Sequence, residues 1–291
     1  MTQLVIRHYA TPDNRRKLWA GMILAAVALA FAAEQAALWL GDHPMAARGL
    51  QASLLAGLAT GLGAIPVLFM RRPQERLMAP MLGLAGGMML AASLFSLLMP
   101  AMQAVVASDA PWLIGAAAAG ALLAGAASMQ ALDRRLPHEH VETVESRRVQ
   151  ANVALVVTAI ALHNVPEGLV VGVAAPAGAD HGMSLGIALQ NIPEGWIVAS
   201  AMVALGAAPL HAAAIALGTG LVEPVGGLFG VIASTMAGPA LPLALAAAAG
   251  AMLWVVGHEL LPAACRSGRE IAGRAGLLGG FALMTGLAVA F

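Results

Sequence analysis

Apolar runs of about 20 residues follow one another through almost the whole chain, and a run of that length is what an α-helix needs to cross a bilayer. Sixty per cent of the 291 residues are hydrophobic and 10% are charged. Soluble domains usually carry about a quarter charged residues. Within hydrocarbon every backbone N–H and C=O must be satisfied inside the protein, which selects helices for runs this long. The sequence therefore predicts an all-α polytopic membrane protein with nine transmembrane helices, near 18–40, 49–70, 79–100, 112–132, 149–173, 182–206, 210–235, 241–262 and 274–291. Eight spans with a peripheral first helix is the alternative. No stretch looks like a separate soluble domain. The first run is too long, and too closely followed by a second, for a cleaved signal peptide. A single cysteine, Cys265, excludes an intrachain disulfide.

The basic residues predict an orientation. The 15 Lys and Arg residues lie in the N-terminal tail, in the segments between the nine spans or, for Arg274, at the edge of the last span. With nine crossings, all but Arg48 fall on one side, which the positive-inside rule assigns to the cytoplasm. The N-terminus is then cytoplasmic and the C-terminus extracytoplasmic, in the inner (plasma) membrane. Net charge is zero, and the short Arg15-Arg16-Lys17 cluster reads as a membrane anchor and not a nucleic-acid site. No glycine-rich phosphate loop is present, so no nucleotide partner is expected.

Two patterns repeat. His163-Asn164-Val165-Pro166-Glu167-Gly168 returns 27 residues later as Gln190-Asn191-Ile192-Pro193-Glu194-Gly195. A weaker repeat joins the flanks: Ala59-Thr60-Gly61-Leu62 with Pro66 resembles Gly218-Thr219-Gly220-Leu221 with Pro224, and Leu97-Leu98-Met99-Pro100-Ala101 resembles Glu259-Leu260-Leu261-Pro262-Ala263. These matches predict inverted three-helix repeats flanking a central helix pair, an arrangement suited to alternating access. Pro166, Pro193, Pro224 and Pro262 each free a carbonyl four residues earlier, adding oxygen ligands beside buried carboxylates.

Five acidic residues fall within the predicted spans: Glu34, Glu167, Glu194, Glu223 and Glu259. No Lys or Arg sits inside a span to neutralise them, so they bind cations, take up protons or face water. Glu34, in otherwise plain sequence, reads as structural. His163 and Glu167 share a helix face at i,i+4, and Gln190 and Glu194 repeat that geometry. Imidazole with carboxylates suits a borderline divalent metal such as zinc, and an amide oxygen is a weaker neutral ligand. Asn164 and Asn191 sit one position round, towards an adjacent site, which Glu223 could complete. The bland reading is a hydrogen-bonded polar seam between helices. His258 and Glu259 are adjacent and suit a release site, a gate or an interfacial role. His138 and His140, among several carboxylates in the connecting loop 133–148, could hold metal loosely. Met88 and Met89 read first as packing, although a thioether in the same cavity favours softer metals.

On these motifs, together with Gly87-Met88-Met89-Leu90-Ala91-Ala92-Ser93, Glu223-Pro224 and His258-Glu259-Leu260-Leu261-Pro262, the chain closely resembles the ZIP family of divalent metal transporters, bacterial type, over nearly its whole length. The resemblance implies an eight-helix core over 49–291, preceded over 1–48 by a cytoplasmic tail and an extra helix. It implies one transport site from His163, Glu167, Gln190, Glu194 and Met89. An adjoining site of Asn164, Asn191 and Glu223 would share Glu167 and Glu194, with His258 and Glu259 on the exit path. It further implies a carrier in which a four-helix unit slides like an elevator, often within a homodimer. The substrate is a divalent metal, chiefly zinc, with cadmium, iron or manganese open; no metal serves as a cofactor.

Two positions depart from common versions of the pattern. Gln190 replaces a histidine and Asn191 an aspartate, so Glu167, Glu194 and Glu223 supply at most three negative charges. One divalent ion is balanced by them, whereas two would leave an excess of +1. The sequence thus predicts one tight metal site and a weak or absent second. The rival readings are a selective metal channel and a membrane metal sensor. An enzyme is disfavoured, because Pro262 stands where a His-Glu-x-x-His zinc site needs its second histidine.

Overall fold

Proline and glycine set where the helices of this chain bend and how closely they approach. The computed structural model describes residues 34, 38–70, 75–135, 161, 163–173, 181–235, 240–266 and 269–290. All the described secondary structure is helical. In chain order the helices are α1 (Pro44–Leu68), α2 (Glu75–Ala91), α3 (Met99–Val106), α4 (Pro111–Arg135), α5 (163–173), α6 (His181–Ala204), α7 (Pro209–Gly220), α8 (Glu223–Thr235), α9 (Ala240–Val255), α10 (Leu261–Arg266) and α11 (Glu270–Ala290). The chain divides into two compact units, Met1–Ala47 and Arg48–Phe291. In the first, the Trp39 and His43 rings stack at 4.3 Å and His43 Nδ1 lies 2.8 Å from the Trp39 carbonyl. Glu34 is exposed.

The expectation of nine transmembrane helices is corrected. Among the described residues six helical segments are long and apolar enough to cross a membrane: Pro44–Leu68, Arg76–Val106, Pro111–Ala131, Pro209–Thr235, Leu241–Cys265 and Glu270–Ala290. The expected spans at 18–40 and 149–173 fall largely outside the described residues. The expected span at 182–206 is a 24-residue helix, α6. Gln190, Asn191 and Glu194 interrupt its apolar run, which is why length alone does not qualify it. The last helix starts at Glu270, four residues earlier than expected, with an exposed Arg274–Glu270 ion pair at 3.1 Å across its first turn.

Two prolines re-route the helix ladder. Pro100 and Pro262 have no N–H to offer the carbonyls of Ser96 and His258. Just before each, the helix widens into a π segment, Ala92–Leu98 between α2 and α3 and Val256–Leu260 between α9 and α10. The Met99 N–H reaches five residues back to Leu94, and the Leu261 N–H five residues back to Val256. Both segments end two residues before the proline of the two Leu-x-Pro-Ala matches. Such widenings are frequent at functional sites, and the second one carries His258 and Glu259.

Between α7 and α8 the helix breaks. The Leu221 N–H closes the end of α7 on the Leu217 carbonyl, and α8 restarts at Glu223 with Pro224 behind it. Proline tolerates a first turn, and a carboxylate there faces the positive end of the helix dipole. The break therefore lowers the cost of burying Glu223, which is fully covered.

Glycines divide the described helices from Arg48 onward into two tightly knit sets. A Cβ on Gly168 of α5 would lie 1.9 Å from the Glu223 carbonyl oxygen of α8, and one on Gly195 of α6 would lie 1.8 Å from the Thr60 carbonyl of α1. Gly57 of α1 meets the Gly220 carbonyl at the end of α7 in the same way. A second set joins α2 to α11 through Gly83 and Gly280 and α10 to α11 through Gly273, and α4 to α9 through Gly125 and Gly250; the continuous helical run from α9 through Val256–Leu260 into α10 links these two parts. Among the described glycines, every Cβ that would strike the backbone of another helix does so within one of these two sets. Across the divide the packing is by side chains: Met78 and Met81 of α2 lie against the cluster holding Trp196, Ala199 and Met202 of α6, and Met88 and Met89 share a cluster with Val170 and Ile187.

Candidate metal centre

Helices α5, α6 and α8 bring most of the predicted ligands together. His163, Asn164, Glu167, Gln190, Asn191 and Glu223 are all buried, and Glu194 is half-buried. The amide of Gln190 donates through Nε2 to Glu167 Oε1, joining α6 to α5. One residue on, Asn191 donates through Nδ2 to Glu223 Oε1 and, at 2.8 Å, to the Ala56 carbonyl, joining α6 to α8 and α1. Glu194 and Glu223 both lie within electrostatic reach of Glu167. The imidazole Nε2 of His163 lies 3.6 Å from Glu259 Oε1, so the π segment after α9 touches the cluster directly.

These contacts leave a set of buried oxygens without a hydrogen-bond donor: Oε2 of Glu167, Glu194 and Glu223, Oε1 of Gln190, and Oδ1 of Asn164 and Asn191. Buried polar atoms are nearly always satisfied, and orphaned ones call for a partner. Six acceptors beside one imidazole, with no Lys or Arg among the described residues there, match the donor chemistry of a divalent cation. Among the described residues, however, no group of three His, Cys, Asp or Glu side chains is drawn up into a ready-made metal cage. Each amide instead partners one carboxylate, Gln190 with Glu167 and Asn191 with Glu223.

The other predicted residues are placed differently. Met89 is buried in the apolar cluster with Val170 and Ile187, and its carbonyl accepts the Ser93 hydroxyl at 2.7 Å. His258 is exposed and stacks on Trp254, ring centroids 5.1 Å apart, so it points away from its neighbour Glu259. His138 and His140 lie outside the described residues. Sequence reasoning did not foresee the Ala56 carbonyl, because a main-chain acceptor on an alanine-rich helix carries no side-chain signature. It also set Glu259 apart from His163; the π segment, which the Pro262 signal could have suggested, brings them together.

Asn191 holds three helices at one point. Asn191→Leu keeps the branched outline of the side chain but leaves the Glu223 carboxylate without that donor, and the expected cost is about 2 kcal/mol. The measurement is the melting temperature of the purified protein in detergent; an unchanged value would show that the contact bears no weight.

A model of the ZIP zinc transporter family matches residues 125–288. The chain is 46% identical to the zinc transporter GufA of Myxococcus xanthus, over 81% of this chain and 95% of that protein. It is 42% identical to the zinc transporter ZIPB of Bordetella bronchiseptica, over 78% of this chain and 75% of that protein. It is 38% identical to the zinc transporter ZupT of Corynebacterium efficiens, over 80% and 92% respectively. With a family match over more than half its length and relatives matched along most of theirs, the chain belongs to the ZIP family of zinc transporters.

Proposed function

We propose that this multi-pass membrane protein carries divalent cations, chiefly zinc, into the cytoplasm, binding one ion among Glu167, Gln190, Glu194 and His163. Family membership makes it a transporter and not an enzyme, with the metal as substrate. The observation that carries the site assignment is the set of buried, donorless oxygens around Glu167, in a region with no Lys or Arg among the described residues. A hydrated ion exchanges its waters for these oxygens and the imidazole, and the loaded cluster, closer to neutral, is cheaper to move past apolar surface. Asn164, Asn191 and Glu223 form the adjoining pocket, Met89 borders the site, and Glu259 with His258 leads away from it.

The two glycine-knit sets support an elevator-like motion. Helices α1, α5, α6, α7 and α8 carry the ligands as one body, and α2–α4 with α9–α11 form the other. Backbones locked through glycine move together, whereas flexible methionines across the divide tolerate sliding. The arrangement of α2 and α11 supports a cytoplasmic N-terminus and an extracytoplasmic C-terminus. Gly83 and Gly87 meet Gly273 and Leu277 in the same order, so these helices are parallel and Arg76 and Arg274 share an end of the bundle. That end is the cytoplasmic one by the positive-inside rule, which leaves the C-terminus of α11 outside. Homodimer formation is proposed on the family resemblance alone.

The test is uptake of radioactive zinc into liposomes holding the purified protein, with cadmium, iron and manganese as competitors, beside a metal titration of the same preparation. Saturable uptake with one tight zinc per chain is expected. Single-step conductance in place of saturation would favour a channel, zinc binding without flux a sensor, and two equally tight zinc ions would overturn the single-site reading.

A further inference from the structure

Among the described glycines, Gly186 of α6 is the one whose nearest contacts lie across the divide between the two bodies. A Cβ there would sit 2.6 Å from Sδ and 2.8 Å from Cε of Met284 on α11. Met284 is buried, and the end of its thioether therefore occupies the space that any side chain at position 186 would fill. Every other close glycine contact locks helices inside a body; this one joins a notch on the moving body to a knob on the other. Gly186 also lies one helical turn before Gln190, a rise of about 6 Å, so the notch is rigidly tied to the metal ligands.

Resting on the two-body reading above, we propose that Met284 seated in the Gly186 notch is a latch that holds the carrier in the described position. Packed interfaces switch between discrete arrangements in preference to deforming continuously, and one-turn steps of one element past another are a known form of such switching. A step of α6 along α11 withdraws the notch from Met284 and brings a different residue of that face beneath it. Met284 is buried and has little room to withdraw while the two helices stay in register, but once α6 steps, its unbranched thioether has rotamers by which to leave and re-enter the notch, where a β-branched knob would not. The latch thus sets the balance between the two positions of the carrier without touching the metal.

The test places spin labels on Leu210→Cys in α7 and Leu278→Cys in α11, two exposed positions in different bodies, with Cys265→Ser removing the native thiol. Distances are measured on the full chain in lipid nanodiscs, with and without zinc. The expected result is two separations, with Gly186→Ala lowering the population of the described one about tenfold, as overpacking at this site implies. In the Met284→Ala background the same glycine substitution is expected to change the ratio less than about twofold, because the knob is gone. Unchanged populations in Gly186→Ala, or an equal effect in both backgrounds, would overturn the latch. A single separation under all conditions in protein that still takes up zinc would instead overturn the two-body reading. Melting and zinc titration of each variant establish that the comparison is made on folded protein, and Met284→Ala alone, which leaves more room and no clash, is expected to lower the described population as well.

Discussion

Glu167→Gln is expected to lower zinc uptake about a hundredfold or more while leaving the protein folded. The substitution keeps the shape of the side chain and replaces a carboxylate by an amide. Glu167 is fully buried, accepts from Gln190 and has its second oxygen without a donor. A buried divalent ion that loses one charged ligand gives up an interaction of the kind that costs about 3 kcal/mol to break, which corresponds to that factor. The new amide can keep its oxygen on the Gln190 N–H, but its NH2 then stands where the second carboxylate oxygen offered a ligand. Glu194→Gln is expected to have a similar effect, and the double substitution little more, since either change already leaves the ion under-neutralised. Radioactive zinc uptake, normalised to protein shown by thermal melting to be folded, is the measurement. Normal uptake in both single variants would remove these residues from the transport site.

Gly168→Val is expected to prevent the carrier body from assembling. The Glu223 carbonyl lies 1.9 Å from where the first carbon of any side chain would stand, and the obstacle is main chain at the broken junction before Pro224. Backbone on both sides means that no rotamer change relieves the contact; α5 and α8 must separate. Overpacking of this kind costs about 3 kcal/mol or more, and separation would also pull the Asn191–Glu223 contact apart. The predicted outcome is aggregated or protease-sensitive protein on expression, with any purified fraction melting well below wild type. Gly218→Val serves as the comparison, because nothing lies within 4 Å of a Cβ there. Equal stability of the two variants would show that α5 and α8 are not locked at this point.

Which polar side chains gather around Glu167 was legible in the sequence to the extent that they stand at regular helical spacing. The two copies of the Asn-x-Pro-Glu-Gly pattern named the helices that meet, and the i,i+4 pairs named the faces. Pro224 signalled a freed carbonyl within a single expected span at 210–235, and the structure goes further, ending α7 at Gly220 and restarting at Glu223. Three things were not legible. Six segments and not nine qualify as crossings among the described residues: α6 has the length of a span but gives up its apolar centre to Gln190, Asn191 and Glu194, and the expected spans at 18–40 and 149–173 fall largely outside those residues. The contact of Asn191 with the Ala56 carbonyl depends on how closely α1 approaches α6, which is fixed by Gly63 and Gly195, residues 132 positions apart in the chain. The partition into two bodies is likewise written in glycines whose partners are distant, so no local window reveals it.

The amide donors of Gln190 and Asn191 bear on how firmly an ion can be held. In the described state each already partners one oxygen of a buried glutamate. An arriving cation that draws on those oxygens must outcompete the N–H groups, so its net affinity is a difference between two bound states and not the full strength of the ligand set. That difference caps residence time, which favours turnover over capture. It also acts as a threshold that discriminates by charge: a monovalent ion gains about half the Coulombic attraction of a divalent one against the same incumbent donors.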